Sequence, residues 1–200
     1  MELINCFDYV ILPKNSGLEK YKSILQEFKL NGKETINIRG EDIPQVISGL
    51  IKQGKKVIGI TGEDLFKEYL IKNRNSNLKI IKRIIWDDSE FIFRKPTLCF
   101  LGPKEKNIQD ISRNFKVCVN LKYKELAKKR CLSLLENKGF KIKKIYAYGA
   151  TEDFFINGLV DFVIDIVCSG NSAEKAGLKV YEKLYSSDIV IIGGKNENQK

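Results

Sequence analysis

The chain of 200 residues contains no histidine, which removes the commonest general base and imidazole metal ligand from its chemistry. Cysteine is sparse and scattered. Cys6, Cys99, Cys118, Cys131 and Cys168 are odd in number and form no C-x-x-C pair, so neither a disulfide framework nor a zinc centre is indicated. They read as reduced, mostly buried thiols. No apolar run approaches the roughly 18 residues of a membrane span. The most hydrophobic stretch, Phe154 to Val167, is interrupted by Asn157, Gly158, Asp161 and Asp165. The amino terminus lacks a basic region followed by a long apolar segment, so no secretion signal is read there. These absences lead to the expectation of a cytoplasmic protein with no membrane partner.

What is present is enough apolar material, 43% hydrophobic and 10% aromatic, to bury a core. Lys+Arg 35 against Asp+Glu 25 gives a net charge of +10. The lysines are dispersed in pairs such as Lys55-Lys56, Lys128-Lys129 and Lys143-Lys144. With no basic tail or arginine-rich block, they read as a solvated surface rather than a nucleic-acid stripe.

Short β-branched runs alternate with segments of helical period, the pattern of an α/β protein with a largely parallel sheet. Strands are expected at Tyr9–Leu12, Thr35–Ile38, Val57–Thr61, Ile80–Ile85, Thr97–Leu101, Lys116–Val119, Ile142–Ala147, Phe162–Val167 and Ile189–Ile192. One helical face is expected from Leu18, Tyr21, Ile24, Leu25 and Phe28. Another is formed by Leu126, Ala127, Cys131, Leu134 and Leu135, with Gly139 as its C-cap. The rhythm changes around residues 86 to 110, which reads as a passage between two lobes. The expected division is residues 1–95 as lobe I, 96–180 as lobe II, and 181–200 as the return to lobe I and a tail, with a ligand cleft between the lobes.

The segment richest in chemistry runs from residue 158 to 172. An apolar strand carries Asp165 near its end, a small polar turn Cys168-Ser169-Gly170-Asn171-Ser172 follows, and helical character resumes at Ala173. A strand, a Ser/Gly turn and a helix start present amides and hydroxyls to an anion, with the helix dipole adding attraction. The same residues also suit a plain helix cap. Asp165 beside such a loop suits ribose hydroxyls or a phosphate-bound Mg²⁺. Arg39-Gly-Glu-Asp42-Ile-Pro44 and Gly59-Ile-Thr61-Gly62-Glu-Asp64 are two further strand-end turns, where open α/β sheets place ligands. The Arg39 guanidinium suits bidentate phosphate contact, or a surface ion pair. Lys14 and Gly149-Ala-Thr-Glu152 occupy two more strand ends.

In this order the segments resemble the catalytic subunit of the ATP phosphoribosyltransferase family. The resemblance rests on Arg39-x-x-Asp42-Ile43-Pro44, Gly59-Ile60-Thr61-Gly62-Glu63-Asp64, Gly149-x-x-Glu152, and Gly158-Leu-Val-Asp161-x-x-x-Asp165-x-x-Ser169-Gly170-x-Ser172 with Gly177-Leu178. It implies a two-lobed fold of the type II periplasmic-binding-protein kind. It also implies transfer of the phosphoribosyl group of phosphoribosyl pyrophosphate (PRPP) to N1 of ATP, the first step of histidine biosynthesis.

On that resemblance Asp165, Cys168, Ser169, Gly170, Asn171, Ser172 and Ala173 hold the ribose and 5′-phosphate of PRPP. Lys14, Arg39, Thr61 and Gly62 face pyrophosphate or ATP, and Arg39, Glu152 and Asp161 are the catalytic candidates. Mg²⁺ is expected to accompany the diphosphate, with no side chain assigned to it. The length resembles the short form of the family, which implies a catalytic homodimer and a regulatory partner similar to histidyl-tRNA synthetase, in a hetero-octamer. The chain departs from the family where Asn15-Ser16-Gly17 replaces a Gly-Arg, where Val57 replaces an Asp, and where Pro96-Thr97 replaces a Cys-Arg. A binding homologue with weakened or no turnover is therefore the alternative expectation.

Overall fold

A computed structural model of the chain describes residues 7–14 and 34–194. The helix expected over Leu18–Phe28 lies outside the described residues. The chain divides into two compact units, Met1–Ile85 with Asp188–Lys200, and Trp86–Ser187.

Unit 1 is built on a five-stranded sheet of order β2-β1-β3-β10-β4. Its strands are β1 (Tyr9–Pro13), β2 (Glu34–Ile38), β3 (Val57–Gly62), β4 (Leu78–Ile84) and β10 (Ile189–Gly194). β1 runs parallel to β2 and β3, whereas β10 is antiparallel to β3 and β4. The composition of each strand matches its place. β3 and β10 are buried at every residue, as strands covered on both faces must be. The edge strand β4 instead exposes Lys82 and Arg83, and such charges discourage further pairing.

Helices α1 (Ile43–Lys52) and α2 (Glu63–Lys72) follow β2 and β3. Pro44 sits in the first turn of α1, where a missing N–H costs nothing. Asp42 precedes that helix as expected but makes no side-chain cap bond. Gly59 lets α1 lie close on the sheet. A Cβ there would stand 2.7 Å from Ile47 Cδ1 and 2.8 Å from Ile43 Cγ2. Ile11, Ile43, Ile47, Val57, Phe66, Val190 and Ile192 close the core between helix and sheet.

Unit 2 has the order β7-β6-β8-β5-β9. Its strands are β5 (Thr97–Pro103), β6 (Asn114–Asn120), β7 (Lys141–Ala147), β8 (Phe162–Val167) and β9 (Leu178–Ser186). β6 is parallel to β7 and β8, and β5 is antiparallel to β8 and β9. Both sheets are therefore mixed rather than largely parallel. On one face Phe115 and Phe162 meet edge to face at 4.9 Å between centroids, with Phe100 at 5.1 Å from Phe162. Such ring pairs add about 0.5–1.5 kcal/mol each beyond area burial. The other face holds Cys99, Leu101, Cys118, Val163, Val167 and Ala173.

Further expectations are corrected. The boundaries at 95/96 and 180/181 move to 85/86 and 187/188. Segment 86–95 belongs to unit 2 because Ile92 N–H donates to Cys168 O at 3.1 Å, and β9 stays paired with β5 through Ser186. Strand β9 is new. Helical character does not continue beyond Lys175, since Gly177 at φ +73° turns the chain into a strand. Two register shifts against β5 break the alternation that would have announced it.

The face through Leu134 is also displaced. α3 (Lys124–Ala127) and α4 (Ser133–Asn137) are joined by a π-helical turn over Lys128–Leu132. The wider turn changes the helical phase, so Leu132 is fully buried and Leu134 is 54% exposed. Gly139, at φ +87°, ends that helix as expected.

Candidate functional site

In unit 1, Lys14, Arg39 and Thr61-Gly62 stand at the carboxyl ends of the parallel strands β1, β2 and β3. Lys14 and Arg39 are exposed. The Lys14 backbone N–H donates to Ile38 O at 2.7 Å, which ties the two strand ends together. Thr61 is different. It is fully buried and its hydroxyl donates to Gly40 O at 2.7 Å, so it braces the turn that carries Arg39. Gly62 is buried as well, as the N-cap of α2. The expectation that Thr61 and Gly62 touch a ligand is corrected to a supporting place, because neither presents an exposed group.

A cavity of about 520 Å³ in the same unit is lined by Lys52, Lys72, Asn73 and Arg74 among others. It lies where α1 and α2 end, at the sheet edge opposite Arg39. The carboxyl ends of helices oppose an anion there, and Lys72 is already paired with Glu68 at 2.9 Å.

In unit 2 the carboxyl ends of β6, β7 and β8 gather the remaining polar residues. Asp165, near the end of β8, is half-buried and accepts three hydrogen bonds. Ile166 N–H donates to Oδ1 at 2.7 Å, Asn120 Nδ2 donates to Oδ1 at 2.9 Å, and the Thr151 hydroxyl donates to Oδ2 at 2.7 Å. Glu152 Oε2 stands 3.3 Å from the same Thr151 hydroxyl. Burial pushes the Asp165 carboxyl above its ordinary 3.8, the three hydrogen bonds oppose that rise, and the Glu152 charge adds to it.

Thr151 opens the short helix α5 (Thr151–Ile156) just after Ala150, a non-glycine residue at φ +48°. A left-handed alanine is strained by roughly 1 kcal/mol or more. Sequence reasoning missed Asn120 and Thr151 as members of this cluster. Their only signal was position, Asn120 just past an expected strand and Thr151 inside Gly149-x-x-Glu152.

Beyond β8, Ser169, Asn171 and Ser172 are exposed, Cys168 and Gly170 are half-buried, and Ala173 is buried in the core. Ser169 Oγ accepts the Asn171 N–H at 3.5 Å. Gly170 adopts φ +81°, which turns the chain into α6 (Asn171–Lys175). Among the described residues no acceptor takes the N–H groups of Gly170, Ser172 or Ala173. The helix spans only five residues, so the expected dipole attraction is slight and the loop's own amides and hydroxyls are its means of holding an anion.

Asp161 is not part of this cluster. It precedes β8 at the opposite, amino edge of the sheet, where its Oδ2 accepts the Lys116 N–H at 2.7 Å. That bond fixes β8 against β6, which makes Asp161 a register device rather than a neighbour of Asp165. Burial pushes the thiols of Cys99 and Cys131 up to about 12 and that of Cys118 to about 11, so they are inert fillers. Among the described residues no three His, Cys, Asp or Glu side chains gather as a metal site. No described helix is long and apolar enough to cross a membrane.

The family model HisG: ATP phosphoribosyltransferase matches residues 39–200. The chain belongs to the ATP phosphoribosyltransferase family. A relative of that name from Sulfurovum sp. is 29% identical over 202 residues, covering 94% of this chain and 87% of the relative. Another, from Sulfurisphaera tokodaii, is 27% identical over 165 residues, covering 82% of this chain and 51% of the relative. The chain thus spans about half the length of some curated family members it matches and most of the length of others.

Among solved structures, the ATP phosphoribosyl transferase (HisG:HisZ) complex from Thermotoga maritima aligns with a TM-score of 0.67 at 19% identity. The alignment covers 94% of this chain and 87% of that one. The periplasmic aliphatic sulphonate binding protein SsuA from Escherichia coli aligns with a TM-score of 0.60 at 16% identity, covering 94% and 61%. At such identities the likeness is one of fold, and the α/β fold of this family member is the periplasmic-binding-protein type.

Proposed function

We propose that this family member is the catalytic subunit of an ATP phosphoribosyltransferase, joining the ribose of PRPP to N1 of ATP with release of pyrophosphate. The observation that carries the reading is the unit 2 strand-end cluster. It combines a carboxylate fixed by three donors with an adjoining loop of exposed hydroxyls and of Gly170, Ser172 and Ala173 amides that no acceptor takes among the described residues.

In this reading the loop from Cys168 to Ala173 grips the 5′-phosphate, with Ser169 and Ser172 as hydroxyl donors and Gly170 allowing the turn. Asp165 accepts from a ribose hydroxyl, and Glu152 stands beside it for the ribose or the base. Arg39 and Lys14, exposed at the strand ends of unit 1, take the phosphates of pyrophosphate or ATP. Magnesium arrives as part of the substrate, on the diphosphate, and lowers its charge.

The chemistry asks for no histidine. The N1 lone pair of ATP forms a bond to the anomeric carbon while the bond from that carbon to the diphosphate oxygen breaks, and the electron pair leaves with pyrophosphate. The protein's share is to hold donor and acceptor in line and to meet the charges that develop. Asp165 and Glu152 place negative charge beside an oxocarbenium-like centre, and Arg39 places positive charge for the leaving group. A regulatory subunit of the HisZ kind is the proposed partner, with the catalytic subunit as a homodimer.

The test is formation of the N1-phosphoribosyl adduct from ATP and PRPP, with and without a HisZ-type subunit. Product that depends on both substrates is expected. Binding of both substrates with no product in either mixture would reduce the chain to a binding homologue, and failure to bind PRPP would reject the reading.

A further inference from the structure

We infer that Thr151 and Asn120 are positioning residues for Asp165. Together they fix its carboxylate so that one acceptor place remains open for a single ribose hydroxyl. The inference rests on the proposed phosphoribosyltransferase reading for the identity of that hydroxyl, and on the geometry alone for the fixing.

A carboxylate offers about four acceptor places, two on each oxygen. Both places on Asp165 Oδ1 are taken, by Ile166 N–H at 2.7 Å and Asn120 Nδ2 at 2.9 Å. One place on Oδ2 is taken by the Thr151 hydroxyl at 2.7 Å. The last place, on Oδ2, lies beside the neighbour that Thr151 also touches, Glu152 Oε2 at 3.3 Å. Thr151 thus sets two carboxylates side by side, and its single proton favours the nearer one, on Asp165. A vicinal diol would meet one oxygen on each acid.

The supports are buried and hydrogen-bonded. Thr151 is fully buried and Asn120 is 8% exposed. Asn120 is held in turn by the Lys122 N–H, which donates to its Oδ1 at 3.1 Å and thereby orients its Nδ2 toward Asp165. The left-handed Ala150 immediately before Thr151 marks a backbone held in a costly conformation where the hydroxyl is delivered.

The fixing also has an electrostatic side. From β6, the Cys118 thiol feels both Asp165 and Glu152, and on β5 Cys99 is the register partner of Asp165. Both thiols stay neutral at working pH, their ionisation pushed up to about 11 and about 12. Glu152, from α5, is the charge that opposes ionisation of Asp165, and hydrogen bonds are what counter it. Removing the Thr151 hydroxyl leaves burial and Glu152 less opposed, so Asp165 holds its proton to higher pH.

Carbon-detected NMR titration of the Asp165 carboxyl in the intact chain, with calorimetric titration of PRPP and ATP, tests this in the wild type, Thr151→Val, Thr151→Ser and Asn120→Asp. Thr151→Val is expected to raise the Asp165 midpoint and weaken PRPP binding by about ten- to a hundredfold, with ATP affinity unchanged. Thr151→Ser restores both. Asn120→Asp keeps the acceptor for Lys122 but sets a further carboxylate against Asp165, so it moves the midpoint further in the same direction. An unmoved midpoint in a folded Thr151→Val, equal losses for ATP and PRPP, or no rescue by serine would overturn the inference. If the wild type binds no PRPP, the functional reading fails, and the NMR midpoints still decide whether Thr151 and Asn120 control the carboxylate.

Discussion

Unit 1 and unit 2 share one strand order but carry different chemistry at the same edge. In unit 1 a parallel trio β2-β1-β3 is continued by antiparallel β10 and then β4. In unit 2 the trio β7-β6-β8 is continued by antiparallel β5 and then β9. In both, the first strand of the trio lies at its centre, and turns at the carboxyl ends collect polar residues. Unit 1 presents two exposed cations there, Lys14 and Arg39, over a buried brace formed by Thr61 and Gly40. Unit 2 presents a hydrogen-bonded carboxylate and a loop of exposed hydroxyls. Topology supplies the place and side chains choose the ligand fragment. The cationic edge suits a diphosphate, and the acid and hydroxyl edge suits a sugar phosphate.

The sharpest way to break this contrast is Asp165→Ala. It removes the acceptor and leaves the Asn120, Thr151 and Ile166 donors without it. The expected result is a loss of more than about a hundredfold in kcat/KM for PRPP, together with about 1–3 kcal/mol of stability. Intact PRPP kinetics would remove the acid from the site.

Arg39→Ala probes the other edge. The Arg39 side chain has no partner among the described residues, so the unfolding midpoint should stay in place while turnover falls about ten- to a hundredfold. A shifted midpoint with full turnover would make Arg39 structural. A smaller effect, about 1–2 kcal/mol of PRPP affinity, is expected from Ser169→Ala with Ser172→Ala. Within the loop these exposed hydroxyls take part in the long bond from the Asn171 N–H to Ser169 Oγ at 3.5 Å, so little stability should go with them, and a loss of stability in place of affinity would restore the helix-cap account of the loop.

Asp161→Asn should weaken the tie to Lys116 and cost about 1 kcal/mol in urea unfolding with kcat unchanged. A kcat effect at intact stability would return Asp161 to the catalytic set.

The subtlest effect is on pH dependence. Because folding raises the Asp165 carboxyl above 3.8, the folded state holds that proton longer than the unfolded one. Stability from this group is therefore greatest below 3.8 and declines as pH rises from there through the folded value. Asp165→Asn, which keeps the shape and lacks the charge, should gain on the wild type as pH climbs through that window. A constant difference between the two unfolding curves would contradict the burial argument.

Much of this was legible in the chain itself, for identifiable reasons. β3, β8 and β10 are nearly continuous apolar runs, and such runs end in turns whose small polar residues stand out. Asp165 was conspicuous because an acid inside an apolar strand demands partners. Its partners were not conspicuous. Asn120, Thr151 and Asp165 come from three elements, and only the pairing of β6 with β8 and the return of α5 bring them together. Thr61 was misread because a buried hydroxyl bracing a turn and an exposed one awaiting a ligand have the same sequence context. Asp161 was misread because it lies four residues before Asp165 along a strand, and extension at about 3.3 Å per residue carries it to the opposite edge of the sheet.

The most direct test of the central claim is a crystal structure with PRPP bound. The account predicts the 5′-phosphate within hydrogen-bond distance of the Gly170, Ser172 and Ala173 amides, with a ribose hydroxyl on Asp165 Oδ2. Phosphate seated instead among Lys52, Lys72 and Arg74, with the Cys168–Ser172 loop unoccupied, would contradict it.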